Sequence, residues 1–351
     1  MPYSRKLAHG LHSDPADAEF HTLLEEDFVI ESLKLGFLGL GAIGFPMCYG
    51  LSKSYPMNLP TYRRERDQRA GFSPVAKDSA EKAVRIDEML ANGATACTSQ
   101  KELIENSNVI LISMPKSLQV EMLMNGPDGI IENSKPGTLV IDLTSADASS
   151  TRKLSQRLEE KGVDMLDACV SGGVAGAAKQ TLTLMVGGKE ETFQRALPIL
   201  NTIGDPKHVI YVGPSGAGDV IKCANNFISF LDTIATAEAL VVCEKAGISP
   251  QRACEIFAAS GGKNDANMRK FPEKYFKGKP NNFAISLVCK DINLFNNAAR
   301  DFGTPSFTGN LAYELWNAVM LQAGPQADMS ELVKRMEAMT GVRLFGIEGE
   351  E

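Results

Sequence analysis

The chain has 351 residues, 44% of them hydrophobic and 23% charged, with a net charge of -7. This is more than one typical core and an ordinary globular composition, which points to two domains. The acidic balance argues against a broad nucleic-acid or anionic-membrane surface, and no apolar run is expected to approach the roughly 20 residues of a bilayer span.

Residues 1–32 precede the first strand. They contain Asp14, Asp17, Glu19, Glu25, Glu26 and Asp27, acids that secretory and mitochondrial presequences lack. They read as an N-terminal extension of a cytoplasmic chain. The C-terminal Gly-Glu-Glu matches no peroxisomal or ER retrieval signal. The seven cysteines are scattered, with no CxxC or CxxH pairing, as expected of free thiols in a reducing compartment. The four histidines form no ligand cluster, so no metal is expected.

An apolar strand over 34–38 leads into Gly39-Leu40-Gly41-Ala42-Ile43-Gly44, and a helix-like pattern follows to about residue 53. This is GxGxxG where a first strand meets a first helix. Gly39 allows the tight turn, Gly41 lets a pyrophosphate approach the backbone, and Gly44 lets helix and strand pack closely. A glycine-rich turn without a ligand would carry the same residues. A second strand over 58–62 ends in Arg63-Arg64-Glu65-Arg66, followed by a polar loop over 65–80 and a helix over 81–92 that stops at Gly93. Further strands are expected over 108–113, 138–143, 164–169, 181–186 and 208–212. Alternating apolar strands and helices predict a doubly wound α/β domain over 33–213.

After Gly213 the texture changes. Residues 218–246 contain no proline and no internal glycine, and would form a helix of about 40 Å. The rest is helical, punctuated by Gly247–Pro250, Gly261-Gly262, Pro272, Gly278–Pro280, Gly303–Pro305 and Gly324-Pro325. A second, all-α domain over 214–351 is therefore predicted.

Four constellations carry chemistry. Arg63 and Arg64 stand where NAD-specific folds place an acid, and guanidinium groups suit a 2′-phosphate, which favours NADP(H); Glu65 nearby keeps ribose binding and NAD open. Ser171-Gly172-Gly173 follows a predicted strand and can offer N–H groups and a hydroxyl to a carboxylate, or can be a plain structural loop. Lys222 and Asn226 stand at i and i+4 on the long helix and share a face. A lysine there can be tuned by burial into an acid or base, or can be an ordinary surface residue. Lys290-Asp291 interrupts an otherwise apolar helix over 283–294, as a helix edge also would.

In this order and on these elements, the motifs resemble the β-hydroxyacid dehydrogenase family, which includes the 3-hydroxyisobutyrate, tartronate semialdehyde and glyoxylate/succinic semialdehyde reductase types. The resemblance covers about residues 33–333 and rests on the glycine loop, D-x-x-V-S-G-G-x-x-G-A, G-x-x-G-x-G-x-x-x-K-x-x-N-N and F-x(6)-K-D. It implies a Rossmann domain followed by a helical domain, and hydride transfer between a nicotinamide and a small 3-hydroxy or semialdehyde acid. Ser171, Gly172 and Gly173 would hold the substrate carboxylate, Lys222 would be the acid/base, and Asn226 would orient substrate and lysine. Met114, Pro115, Gln119 and Ser145 would line the nicotinamide side, and Lys290 would lie over the cofactor beside Asp291. The family's helical domain also implies an intertwined homodimer or a tetramer. Ile43 replaces a usual methionine, Gln180 a usual glycine, and Thr144-Ser145 inverts the usual order. These departures, the long loop after Arg66 and the N-terminal extension leave the substrate open. The alternatives are an imine or bulky-ketone reductase on the same fold, whose members lack the lysine, and a non-catalytic cofactor-binding protein.

Overall fold

The computed structural model describes residues 33–60, 84 and 86–348. Arg63 and Arg64 lie outside the described residues, as do the N-terminal extension and most of the loop that follows the arginines.

The strands are β1 (Leu35–Leu38), β2 (Met57–Pro60), β3 (Thr95–Cys97), β4 (Val109–Ile112), β5 (Leu139–Asp142), β6 (Asp164–Ser171), β7 (Leu182–Gly187) and β8 (Gly204–Gly213). They form one sheet in the order β3-β2-β1-β4-β5-β6-β7-β8. Neighbours from β3 to β6 are parallel, β7 runs antiparallel to β6, and β8 is parallel to β7. The strand order reverses between β1 and β4, so the crevice beyond their carboxyl ends is the place where doubly wound sheets bind ligands.

Sequence dictates this centre directly. Strands β1, β4 and β5 read LGFL, VILI and LVID and are buried throughout, the continuous apolar pattern of parallel strands covered on both faces. One core cluster lies on each face: Phe37, Leu111 and Ile141 on one, Leu38, Ile112 and Val140 on the other. The covering helices include α1 (Gly44–Leu51), α2 (Gln100–Glu105), α3 (Ser117–Met124), α4 (Ile130–Asn133), α5 (Ala148–Glu159), α6 (Gly173–Lys179) and α7 (Glu190–Ile203). α5 is capped by Asp147, whose Oδ1 accepts the N–H groups of Ser149 and Ser150.

Four local expectations change. β3 has no apolar alternation and two exposed residues; only pairing with β2 makes it a strand. β6 runs on to Ser171, because pairing with the antiparallel β7 extends it beyond its apolar run. β8 begins at Gly204 rather than near 208. Pro272 does not break the chain: it lies inside a π-helix (Ala266–Tyr275), and such wider-wound turns are rare.

After Gly213 the chain is helical: α8 (Ala217–Lys245), the π-helix, α9 (Pro250–Ala258), α10 (Ile285–Asp301), α11 (Phe307–Ala323) and α12 (Glu331–Thr340). α8 has 29 residues, within one position of the expected ends. By length and composition it is apolar enough to cross a bilayer, contrary to the expectation that no apolar run approaches that length, and core helices share this property. Here it packs against β6, β7, α9, α10, α11 and α12. Its partners form two apolar clusters, one with Leu240, Phe271 and Tyr275, the other with Phe230, Ile292 and Trp316.

Candidate active site

The glycine loop turns at the carboxyl end of β1. Gly39 has φ +105°, and a Cβ there would lie 2.1 Å from the Ser113 carbonyl oxygen, at the end of β4. Only glycine fits. A Cβ on Gly44 would lie 2.0 Å from the Gly39 oxygen, so helix α1 packs on the loop backbone itself. Gly41 differs: among the described residues, a Cβ would meet nothing within 4 Å. Its missing side chain serves neither strain nor packing, and leaves an open approach to the loop at the amino end of α1. The exposed Gly41 and Ala42, flanked by Leu40 and Ile43, present that backbone to solvent. This cradle fits a dinucleotide pyrophosphate.

The neighbouring strand ends supply the other expected residues. The Met114 N–H donates to Thr144 Oγ1 at 3.0 Å, joining the loops after β4 and β5. The Gln119 side chain accepts the Lys116 N–H at 3.0 Å, closing the first turn of α3. Lys290, from α10, donates to the carbonyl oxygens of Pro115 at 3.3 Å and Ser145 at 3.1 Å. It therefore crosses from the helical region to the sheet edge where Met114, Pro115 and Ser145 sit. Its Nζ also lies 3.0 Å from Asp291 Oδ1.

Lys222 stands in the second turn of α8 and is 8% exposed. Among the described residues, no carboxylate lies within 4 Å of its Nζ. Burial lowers its pKa below the usual lysine range, and Asp291 partly offsets this. Asn226, one turn on, donates to Asp291 Oδ2 at 2.7 Å. The other Asp291 oxygen is buried and is paired with the Lys290 ammonium at 3.0 Å. Lys222, Asn226, Lys290 and Asp291 are thus brought together at the junction of α8, α10 and the sheet edge. Ser171 ends β6 and is half-buried, and Gly172 and Gly173 are exposed with φ of +130° and +63°. A Cβ on Gly173 would meet nothing within 4 Å. Gln180 closes α6 in the left-handed region at φ +58°, where glycine is the unstrained choice.

Sequence reasoning gave no role to three buried carboxylates beneath this site. Asp142 ends β5, Asp167 lies in β6 and Asp219 in the first turn of α8, each 1% exposed. Burial raises Asp142 to about 8 and Asp167 to about 7, with Asp219 adding repulsion to both. Burial also raises Asp219, and hydrogen bonds and the Lys290 ammonium oppose that rise. A signal was present: an acid closes one apolar strand, LVID, and interrupts another, MLDACV. Among the described residues, no group of three or more His, Cys, Asp or Glu is arranged to hold a metal ion.

Residues 34–213 match the family described as the NAD binding domain of 6-phosphogluconate dehydrogenase. Residues 216–336 match the NAD-binding domain of NADP-dependent 3-hydroxyisobutyrate dehydrogenase. The chain is 35% identical to 2-(hydroxymethyl)glutarate dehydrogenase of Eubacterium barkeri, over 90% of this chain and 99% of that protein. It is 33% identical to 2-hydroxy-3-oxopropionate reductase of Escherichia coli, over 89% of this chain and 100% of that one. The structure of Mycobacterium tuberculosis 3-hydroxyisobutyrate dehydrogenase with L-serine superposes with a TM-score of 0.72 at 27% identity, covering 87% and 99% of the two chains. An open glycine cradle, a buried lysine at the domain junction and full-length similarity to hydroxyacid oxidoreductases converge: the chain belongs to the β-hydroxyacid dehydrogenase family and is an NAD(P)-dependent hydroxyacid dehydrogenase.

Proposed function

We propose that the chain interconverts a small 3-hydroxy acid and the corresponding carbonyl or semialdehyde acid, with NADP(H) as preferred cofactor and Lys222 as acid/base. The observation that carries this reading is the buried Lys222, with a lowered pKa and one helical turn from the Asn226–Asp291 pair. Gly39, Leu40, Gly41, Ala42, Ile43 and Gly44 would hold the pyrophosphate, with Met114, Pro115, Gln119, Ser145 and Lys290 along the nicotinamide side. Arg63 and Arg64 would take the 2′-phosphate. The bound nicotinamide supplies or accepts the hydride. In reduction, the Lys222 ammonium gives its proton to the carbonyl oxygen as negative charge develops there, and its own charge stabilises that oxygen. In oxidation, the neutral amine removes the hydroxyl proton. Ser171 and the backbone N–H groups of Gly172 and Gly173 would hold the substrate carboxylate, and Asn226 would align substrate with lysine.

Cofactor oxidation against a panel of small carbonyl and semialdehyde acids tests this, with wild type and Lys222→Ala side by side. The variant should lose about 10²–10⁴ in kcat, the usual scale of a general acid–base group. Wild-type turnover in Lys222→Ala refutes the role, and turnover of imines alone would favour the imine-reductase reading. NADPH should outperform NADH, and Arg63→Ser with Arg64→Ser should reverse that order.

We also propose a cytoplasmic homodimer or tetramer. Ile221, Ile228 and Val242 recur at seven-residue multiples along α8 and are 44–68% exposed, an apolar stripe suited to a second copy. Light scattering that gives a monomer would reject the assembly.

A further inference from the structure

Asp219 has no part in the chemistry above, yet its carboxylate is where three segments of the site meet. Oδ1 accepts the Ala146 N–H at 2.7 Å from the loop after β5, and lies 3.2 Å from the Cys169 thiol of β6, whose one proton it shares with the Thr144 carbonyl at the same distance. Oδ2 accepts the Thr151 hydroxyl at 2.7 Å from α5. Two of these donors are close in sequence to a site residue. Ala146 follows Ser145, whose carbonyl receives Lys290, and Cys169 stands two residues before Ser171.

The first turn of α8 is itself anchored. Asp167 Oδ1 accepts the Gly216 N–H at 2.8 Å and Oδ2 accepts the Asp219 N–H at 3.2 Å. Helix and sheet touch at backbone distance, since a Cβ on Gly218 would lie 2.5 Å from the Met185 carbonyl oxygen and 2.6 Å from that of Asp167. Two turns on, Asn226 is tied through Asp291 and Lys290 back to the Ser145 carbonyl. Asp219, Lys222 and Asn226 stand at i, i+3 and i+7 and share one face of α8. A closed chain of polar contacts therefore runs from Asp219 through Ala146 and Ser145 to Lys290, Asp291 and Asn226, with Lys222 between its two ends.

We propose that Asp219 is a positioning residue for the reaction: its carboxylate locks α8, β6 and the loop after β5 together and so sets where Lys222 meets substrate. This rests on the reading of Lys222 as acid/base. The charged and titratable groups that act on the lysine are Asp291 and Lys290 from α10, Cys169 from β6 and Cys223 from α8 itself. Burial disfavours the Lys222 ammonium and Asp291 favours it, so a displaced α8 changes the pH at which Lys222 loses its proton.

The test compares Asp219→Asn, Thr151→Val and Lys222→Ala with wild type, using the best substrate of the panel. Asp219→Asn should lower kcat about 10-fold or more, because small misplacements of an acid/base are costly. Cofactor KM should stay within about 2-fold, since uniform binding is untouched. The alkaline limb of the reduction profile and the acid limb of the oxidation profile report the same group and should move together. Wild-type kcat and pH limbs with only a lowered Tm would overturn the proposal. If Asp219→Asn does not fold, Thr151→Val decides: it removes one of the three bonds, and should cost about 3-fold in kcat at unchanged cofactor KM, whereas wild-type kcat overturns the proposal. An active Lys222→Ala would instead sink the acid/base reading beneath it.

Discussion

The glycine loop after β1 and the junction between α8 and the sheet are built on opposite principles. The loop works through what is missing. Gly39 and Gly44 are required by contacts with main-chain oxygens, and Gly41 by no contact among the described residues. The junction works through what is present: Asp167, Asp219, Lys290 and Asn226 each reach a partner 49 to 175 positions away. A site made of backbone can be read from a short string of residues. A site made of side chains exists only once distant segments meet.

The sharpest way to break that contrast is a pair of alanines. Gly39→Ala forces a side chain into a positive-φ position against the Ser113 carbonyl, and should cost about 3 kcal/mol or more in stability, read as a large fall in Tm. Gly41→Ala should leave Tm within a degree or two, about the effect of an ordinary surface change, while weakening cofactor binding about 10-fold or more by titration. Equal losses of stability in the two variants would show that Gly41 has a packing role.

The junction makes a prediction about pH. Asp142 and Asp167 have folded pKa values of about 8 and about 7, well above those of an unfolded aspartate. Between about pH 4 and pH 8 the folded state therefore binds more protons than the unfolded chain, and stability falls as pH rises. Asp142→Asn keeps an oxygen for the Thr144 N–H and removes the cost of ionisation. Its stability should decline less steeply over that window and exceed wild type at pH 8, by on the order of 1–3 kcal/mol in denaturant titrations. A wild-type slope in the variant would mean that the carboxylate is already ionised or already relieved.

A smaller effect concerns the tie from α10. Lys290→Met keeps much of the stem but loses the bonds to the Pro115 and Ser145 carbonyls and leaves Asp291 buried without its cation. Stability should fall by about 1–3 kcal/mol, and cofactor KM should rise several-fold more than that of Asp219→Asn. Unchanged cofactor KM would place Lys290 in the scaffold only.

Much of the fold was legible because its centre is repetitive. LGFL, VILI and LVID are apolar throughout, as strands covered on both faces must be, and α8 lacks every residue that stops a helix. Short or polar elements were not legible in this way. β3 is a strand by its pairing, and the π-helix carries a proline that reads as a break. In the site, Lys222 and Asn226 could be paired by helical spacing. That Asn226 grips Asp291 depends on how α8 and α10 pack.

Sequence alone determined a nucleotide-binding sheet with a glycine cradle, a long helix after it, and a lysine–asparagine pair on one face of that helix, because local spacing, turn chemistry and unbroken apolar runs depend on near neighbours. Tertiary structure alone decided that Lys222, Asp142, Asp167 and Asp219 are buried, and that Asp219 joins α8 to β6 and the loop after β5. Burial, desolvation and hydrogen bonding between segments far apart in the chain arise only when the chain has closed on itself.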